Sequence, residues 1–241
     1  MKTYTTDELL DRLEWRREIR NTIGRISHDY CVKQEAEIYQ RYWSRRPDTC
    51  LGLNEGYYQG AEAVRGYYAA LGEEIALSSR LIYEKFPEAF EGKTLEDAYG
   101  VGMISYLPVD SYVIEISEDT QTAKAIFNVR GSYCYLTDCG PVSNWTYGWL
   151  AADFIMEDDE FKIWHMQMLY NVDHPCGVNF TDAPKQFEPV PGFEAMNDFH
   201  LPEPNVKTPI LEHYHALRPA AKSPEVPVPY RTFEETFSYG L

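Results

Sequence analysis

Apolar residues in the first thirty positions recur at Trp15, Ile19, Ile23, Ile26 and Tyr30. Steps of about three or four put side chains on one face of a helix. A helix capped by Thr6 or Asp7 is therefore expected, with Tyr30 ending its buried stripe and Arg16, Arg17 and Arg20 on the solvated flank. A second helix is expected over 33–44, where Ile38, Tyr39, Tyr42 and Trp43 cluster before Arg45-Arg46-Pro47-Asp48 ends it. A short strand over 49–54 and the segment Glu55-Gly56-Tyr57-Tyr58-Gln59-Gly60 lead into a third helix with Val64, Tyr67, Tyr68, Leu71 and Ile75. From 76 to 102 a helical insertion is expected, broken near Pro87 and Gly92 and restarted by Thr94 with Asp97.

The period then shortens. Val109–Ser117, Ala123–Tyr135, Val142–Met156 and Phe161–Tyr170 are rich in β-branched and aromatic residues, with acidic or Gly/Pro turns between them. Long strands with short turns predict an antiparallel meander, and helices followed by a meander are an α+β order. With Asp158-Asp159 as a two-residue turn, Ile163 falls opposite Phe154 and His165 opposite Ala152 on one face. Asp153 then falls opposite Trp164 on the other face, with Trp149 and Met168. In that register Asp153 and His165 cannot form a dyad.

After Asn171, eleven of the 15 prolines crowd between Pro175 and Pro229, which rules out a sheet interior. A short helix over 209–217 is the one regular element expected there. Phe180, Phe187, Phe193, Phe199, Tyr214, Tyr230, Phe233, Phe237 and Tyr239 are too many aromatics for a free linker. The chain thus divides into a domain over 1–172 and an extended arm over 173–241, packed on the domain or on a neighbouring subunit.

Charge narrows the partners. The 241 residues carry a net charge of −16, which repels phosphate backbones and anionic lipid, so neither nucleic acid nor a membrane is an expected partner. The sequence starts without an apolar signal core, and its five cysteines are odd in number and irregularly spaced. Reduced thiols and a cytoplasmic location are expected. Asp173, His174 and Cys176 carry metal-capable atoms, but no second cluster stands at ligand spacing, and no metal is expected.

Three stretches carry a family resemblance. Glu18-Ile19-Arg20-Asn21 through Gly24-Arg25 resembles the first-helix signature of SnoaL-like proteins. Gly56-Tyr57-Tyr58-Gln59-Gly60-Ala61-Glu62-Ala63-Val64 resembles their strand-to-third-helix segment, and Asp153-Phe154-Ile155 with Phe161-Lys162-Ile163-Trp164-His165 is similar to their closing strand pair. The resemblance covers about residues 7 to 170. It implies the cone-shaped nuclear-transport-factor-2-like (cystatin-like) fold, in which N-terminal helices pack on a curved antiparallel sheet around a small apolar or aromatic ligand.

Enzymes of that superfamily commonly place a Tyr and an Asp near the end of the first helix and His residues on the strands. The resemblance therefore makes Tyr30, Asp29 and His165 the candidate catalytic groups, and His28 a candidate substrate contact. Asn54, Tyr58, Phe127 and Tyr133 are further candidate contacts, as are Trp145, Trp149 and Met168. Trp145, Tyr147 and Trp149 alternate along one face, suited either to stacking a flat ligand or to a sheet-to-sheet homodimer or higher homo-oligomer. One departure stands out: no histidine lies between His28 and His165, and Met103-Ile104-Ser105-Tyr106-Leu107-Pro108 occupies the strand where dehydratase-like relatives often supply one. Two readings stay open. One is a cofactor-free lyase or isomerase acting on a small cyclic or aromatic hydroxy or keto compound; the other is a non-catalytic binding or assembly protein.

Overall fold

A computed structural model describes residues 3–137, 140–177, 196, 198–215 and 217–241. Cys139, Asn179, Phe180, Phe187 and Phe193 lie outside the described residues. Helix α1 (Thr6–Cys31) is capped one residue earlier than expected: Thr5 and Glu8 form a reciprocal capping box. Its stripe Ile19, Ile23, Ile26 and Tyr30 is buried as the spacing requires. The flank is not simply solvated. Arg12 donates to Ser117 O (2.9 Å) and Ile116 O, and Arg16 Nε to Ile114 O (3.1 Å), so arginines four apart occupy carbonyls near a strand edge. Edge carbonyls left open template aggregation, and covering them removes that hazard.

Helix α2 shrinks to Ile38–Tyr42, preceded by one 3-10 turn at Glu35–Glu37. The expected start at position 33 fails because Lys33 sits in the left-handed region (φ 62°), which a helix cannot propagate through. Helix α3 (Ala61–Lys85) runs ten residues past Ile75 and stops just before Pro87. Thr94 and Asp97 do form a cap, on a 3-10 turn at Glu96–Ala98.

The strands are β1 (Cys50–Leu53), β2 (Gly56–Gln59), β3 (Met103–Tyr106), β4 (Val109–Ile116), β5 (Thr122–Thr137), β6 (Gly140–Glu157) and β7 (Glu160–Pro175). Their order is β2-β1-β7-β6-β5-β3, with β4 also on β5, and β1 runs parallel to β7. The meander is antiparallel, but the whole sheet is mixed. Two details differ from expectation: β2 is a strand where the sequence suggested a connection, and β7 continues past residue 172 to Pro175. One face of the sheet carries Phe127, Leu150, Ala152, Phe154, Ile163, Met166 and Met168 against Ile23, Ile26, Tyr30, Trp43 and Tyr68 of the helices. This is the cone face.

The β6–β7 register corrects the sequence reading. Asp158 and Asp159 form the turn, both left-handed, and Ile163 pairs with Phe154. One step further the ladder slips: Asp153 pairs with His165, leaving Trp164 as a bulge. Two segments dock beside β7 on either side of it, Ser44 donating to Ile163 O (2.8 Å) and β1 starting opposite His165. His165 therefore does not face Ala152 on the cone side. It lies on the outer face, bonded to Asp153 (Nδ1 to Oδ2, 2.8 Å). Met168, expected beside Asp153, returns to the cone face.

The end of the chain covers that outer face. Lys124 Nζ meets Asp153 Oδ1 at 2.6 Å, both side chains fully buried, and the rings of Phe233, Phe237, Tyr239 and Tyr230 surround the ammonium at 4.4 to 5.9 Å. Tyr239 N and Ser238 Oγ both donate to Asp153 Oδ2, at 2.8 and 3.0 Å. Gly240 lies so flat on His165 that a Cβ there would come within 2.8 Å of the ring. Further back, Val206 bridges Tyr57, and Ile210 N and Tyr214 N donate to Asn54 O and Asn171 O. Those bonds hold the backbone extended, so the described residues of 209–217 form no helix.

Removing one partner of a buried ion pair strands the other charge, at about 3–5 kcal/mol, whereas replacing both with apolar residues is often neutral. Asp153→Ala should therefore lower stability by about that amount, and the double variant Lys124→Met/Asp153→Leu should recover most of it. Urea-denaturation midpoints of the two variants measure this.

Candidate functional site

The cone face holds a second polar group, at the end away from Phe154. Alternation along β5 and β6 points Tyr133 and Asn144 to the cone side, where they pair across the strands. A second bulge, at Asn171, brings Asp173 opposite Thr146 on the same side. Tyr133 OH donates to Asp173 (3.1 and 3.2 Å to its two oxygens), and Asn144 Nδ2 donates to Tyr133 OH at 2.6 Å. Nearby, Lys33 Nζ donates to Ser105 Oγ at 2.5 Å and pairs with Glu35 at 3.4 Å. Ser105 is itself the β-partner of Tyr133, which joins the two halves.

Tyrosines fill the wall between them. Tyr67 and Tyr68 meet edge to face at 5.5 Å. Burial pushes the Tyr30 phenol well up, and the neighbouring phenols of Tyr68, Tyr67 and Tyr170, then Glu35, push it further. Burial likewise raises Tyr170, with Asp173 as the next cause, and raises Tyr133 for the same two reasons. Three carboxyls are lifted above the ordinary carboxylate range by burial: Glu35 against the pull of Lys33, Asp173 against its bonds from Tyr133 and Asn144, and Glu74 with Glu35 adding to the rise. Buried carboxyls with perturbed pKa values mark functional candidates.

Several polar atoms here have no partner. Among the described residues, Glu35 Oε2, Asn144 Oδ1 and Thr146 Oγ1 are buried without a hydrogen bond. Each such atom costs about 1–3 kcal/mol unless something else supplies the bond. The Asp153 cluster on the outer face is the opposite case: both oxygens of Asp153 are bonded, and the arm seals it. Ser238 Oγ lies 3.1 Å from the same His165 nitrogen that meets Asp153. A relay needs the serine and the carboxylate on different ring nitrogens, so this trio is not a nucleophilic triad.

The expected catalytic groups are not assembled. Tyr30 lines the cone, but Asp29 turns to Arg41 (3.2 Å) and the Tyr42 hydroxyl (2.9 Å), and His165 lies on the far face. Among the expected contacts, Tyr133 belongs to the cone cluster, and Tyr58 packs on Tyr67 at 4.8 Å while donating to Pro202 O. Asn54 ties β1 to β7 through Tyr170 O (2.7 Å) and Tyr170 N (2.8 Å). Phe127 and Met168 are core residues. Trp149 packs against Ile126, Ala151 and Tyr239 on the outer face, Trp145 is 41% exposed there, and His28 lies on the outside of α1.

Lys33, Glu35, Ser105, Asn144, Thr146 and Asp173 were missed. The alternation of Tyr133 and Asn144 was readable; the Asn171 bulge that aims Asp173 was not. Among the described residues no cluster of three metal-ligating side chains occurs, and no helix is long and apolar enough to cross a membrane.

The raised carboxyls make stability pH-dependent. A group whose folded pKa exceeds its unfolded value favours the fold below the unfolded pKa and loses that contribution as pH rises through the folded one. Glu35 and Asp173 should therefore make the protein less stable as pH rises from the ordinary carboxylate range upward. Urea midpoints measured across that range should fall less steeply in Glu35→Gln/Asp173→Asn than in the parent.

No family model and no curated protein matches the sequence. Solved structures do resemble it. Hexachlorocyclohexane dehydrochlorinase LinA type 2 is 16% identical over 73% of this chain and 98% of its own, with a TM-score of 0.48. An NTF2-like protein with a cystatin-like fold from Novosphingobium aromaticivorans is 14% identical over 70% of this chain and 92% of its own, with a TM-score of 0.42. The Kfla4162 protein of Kribbella flavida is 13% identical over 68% and 95%, with a TM-score of 0.48. With its helices laid across one face of a curved sheet ordered β2-β1-β7-β6-β5-β3, the chain has a cone-shaped α+β fold of the cystatin-like kind.

Proposed function

We propose that the cone is the active site of a cofactor-free lyase or isomerase that moves a proton on a small cyclic or aromatic hydroxy or keto compound. The observation that carries this reading is Asp173, a half-buried carboxylate raised by burial and held on a strand beside unpartnered polar atoms. A general base works best when its pKa approaches the working pH, and burial moves Asp173 in that direction. Tyr30 supplies the complementary acid: its raised pKa keeps the phenol protonated and able to donate to an oxygen. His165 has no part, being on the other face.

For a cyclic β-hydroxy ketone the steps balance as follows. The Asp173 carboxylate accepts the α-proton, and the C–H pair becomes the new C=C bond. The β C–O bond breaks, and the departing oxygen takes the Tyr30 phenol proton and leaves as water. The proton on Asp173 then returns to Tyr30 through solvent. Glu35, held by Lys33, completes the polar wall. A second reading, a non-catalytic small-molecule binder, is supported by the bonds Tyr133 donates to both oxygens of Asp173, which compete with proton abstraction.

Incubation with 3-hydroxycyclohexanone in D2O, followed by NMR, separates the two. The enzyme reading expects deuterium at the α-carbon and loss of water, with Asp173→Asn and Tyr30→Phe each slowing turnover about 10²–10⁴-fold. It also expects an acid limb in kcat/KM above the ordinary carboxylate range. Exchange and elimination unchanged in both variants would sink these roles; binding without exchange would favour the binder.

A further inference from the structure

In the first-helix stretch from Arg20 to Arg25, Ile23 packs into the cone, while Arg20, Asn21, Gly24 and Arg25 lie on the helix's other side. Arg20, Asn21, Gly24, Arg25 and His28 form one wall of an external cavity of about 610 Å³, and Asp110, Ser111 and Tyr112 of β4 form the other. That volume is in the range of small-molecule sites. The cavity opens where the arginine ladder stops. Arg12 and Arg16 spend their guanidiniums on backbone carbonyls, whereas Arg20, among the described residues, meets Tyr112, with its hydroxyl at 3.1 Å and its ring centroid at 5.8 Å. Arg25 faces Glu160 at longer range, and Asp110, the acidic group of the wall, is already bonded to Arg130 at 2.6 Å.

Two backbone features sit in the same place. Ser111 is in the left-handed region (φ 44°) at a bulge in β4, a strained geometry for a residue other than glycine. Gly24 stands mid-helix, where glycine is unfavourable, and a Cβ built on it meets nothing within 4 Å. Among the described residues no packing calls for a glycine there. A ligand approaching the helix backbone would. Phe127, a core residue of the cone face, also reaches this groove at its base, and its β-partner Tyr112 is tilted over it at 5.7 Å.

We infer that this groove is a second ligand site, outside the cone, for a small aromatic carboxylate. The ring lies between Tyr112 and the Gly24 backbone, and the carboxylate meets Arg20 and Arg25. In a protein of net charge −16 this basic wall is a local exception, and the Arg20 guanidinium, with no anion partner among the described residues, suits a planar carboxylate.

Benzoate is the probe, titrated calorimetrically against the full chain, with benzamide as the uncharged control. Benzoate should bind at least tenfold more tightly than benzamide. Arg20→Ala should weaken benzoate at least tenfold, Gly24→Leu should abolish its binding while favouring the helix, and Tyr30→Phe should leave it unchanged. Absence of benzoate binding, equal affinity for benzamide, or full binding to Gly24→Leu overturns the proposal. Loss of binding in Tyr30→Phe with retention in Gly24→Leu would place benzoate in the cone and overturn it as well.

Discussion

One extra residue in β7 governs what each face of the sheet contains. Side chains in a strand alternate, so a slip of one residue moves everything beyond it to the opposite face. At Trp164 that slip is built in, and the strand continues with His165 outward and Met166 and Met168 inward. The Trp164 ring is held by its surroundings: Arg46 lies over it at 5.1 Å, Phe233 packs at 4.7 Å, and His165 stacks at 4.4 Å. The second bulge, at Asn171, repeats the device and aims Asp173 into the cone.

The two faces use buried charge in opposite ways. Outside, Lys124, Asp153, His165 and Ser238 form a saturated cluster under aromatic rings. Burial lowers the Lys124 ammonium pKa, and Asp153 opposes that shift. Such a cluster fixes the arm to one position on the sheet. Inside, Glu35, Asn144 and Thr146 keep unfilled hydrogen-bonding capacity beside carboxyls raised by burial. Saturated polar groups hold structure, and unsaturated ones wait for a partner. That contrast places the proposed chemistry on the cone side.

Helix α1 serves three surfaces at once. Its apolar stripe closes the cone, its first two ladder arginines cover strand carbonyls, and its glycine and remaining basic residues border the outer groove. A 26-residue helix can do this because each surface uses a separate face or turn.

Sequence alone determined the architecture, since that information is local and periodic. The stripe of α1, the Asp158-Asp159 turn and the order of helices before meander each follow from spacing within a few residues. At the end of the chain, Tyr230, Phe233, Phe237 and Tyr239 surround the Lys124 ammonium. Tertiary structure decided which residues meet. Asp153 and His165 were excluded as a pair by a regular register, and a single bulge joined them. Lys33, Ser105 and Asp173 come from α1's end, β3 and β7, and nothing in their own segments marks them. Periodicity says which face a residue takes while the strand stays regular; a bulge is stabilised by neighbours distant in sequence, so its consequences appear only once the chain is folded.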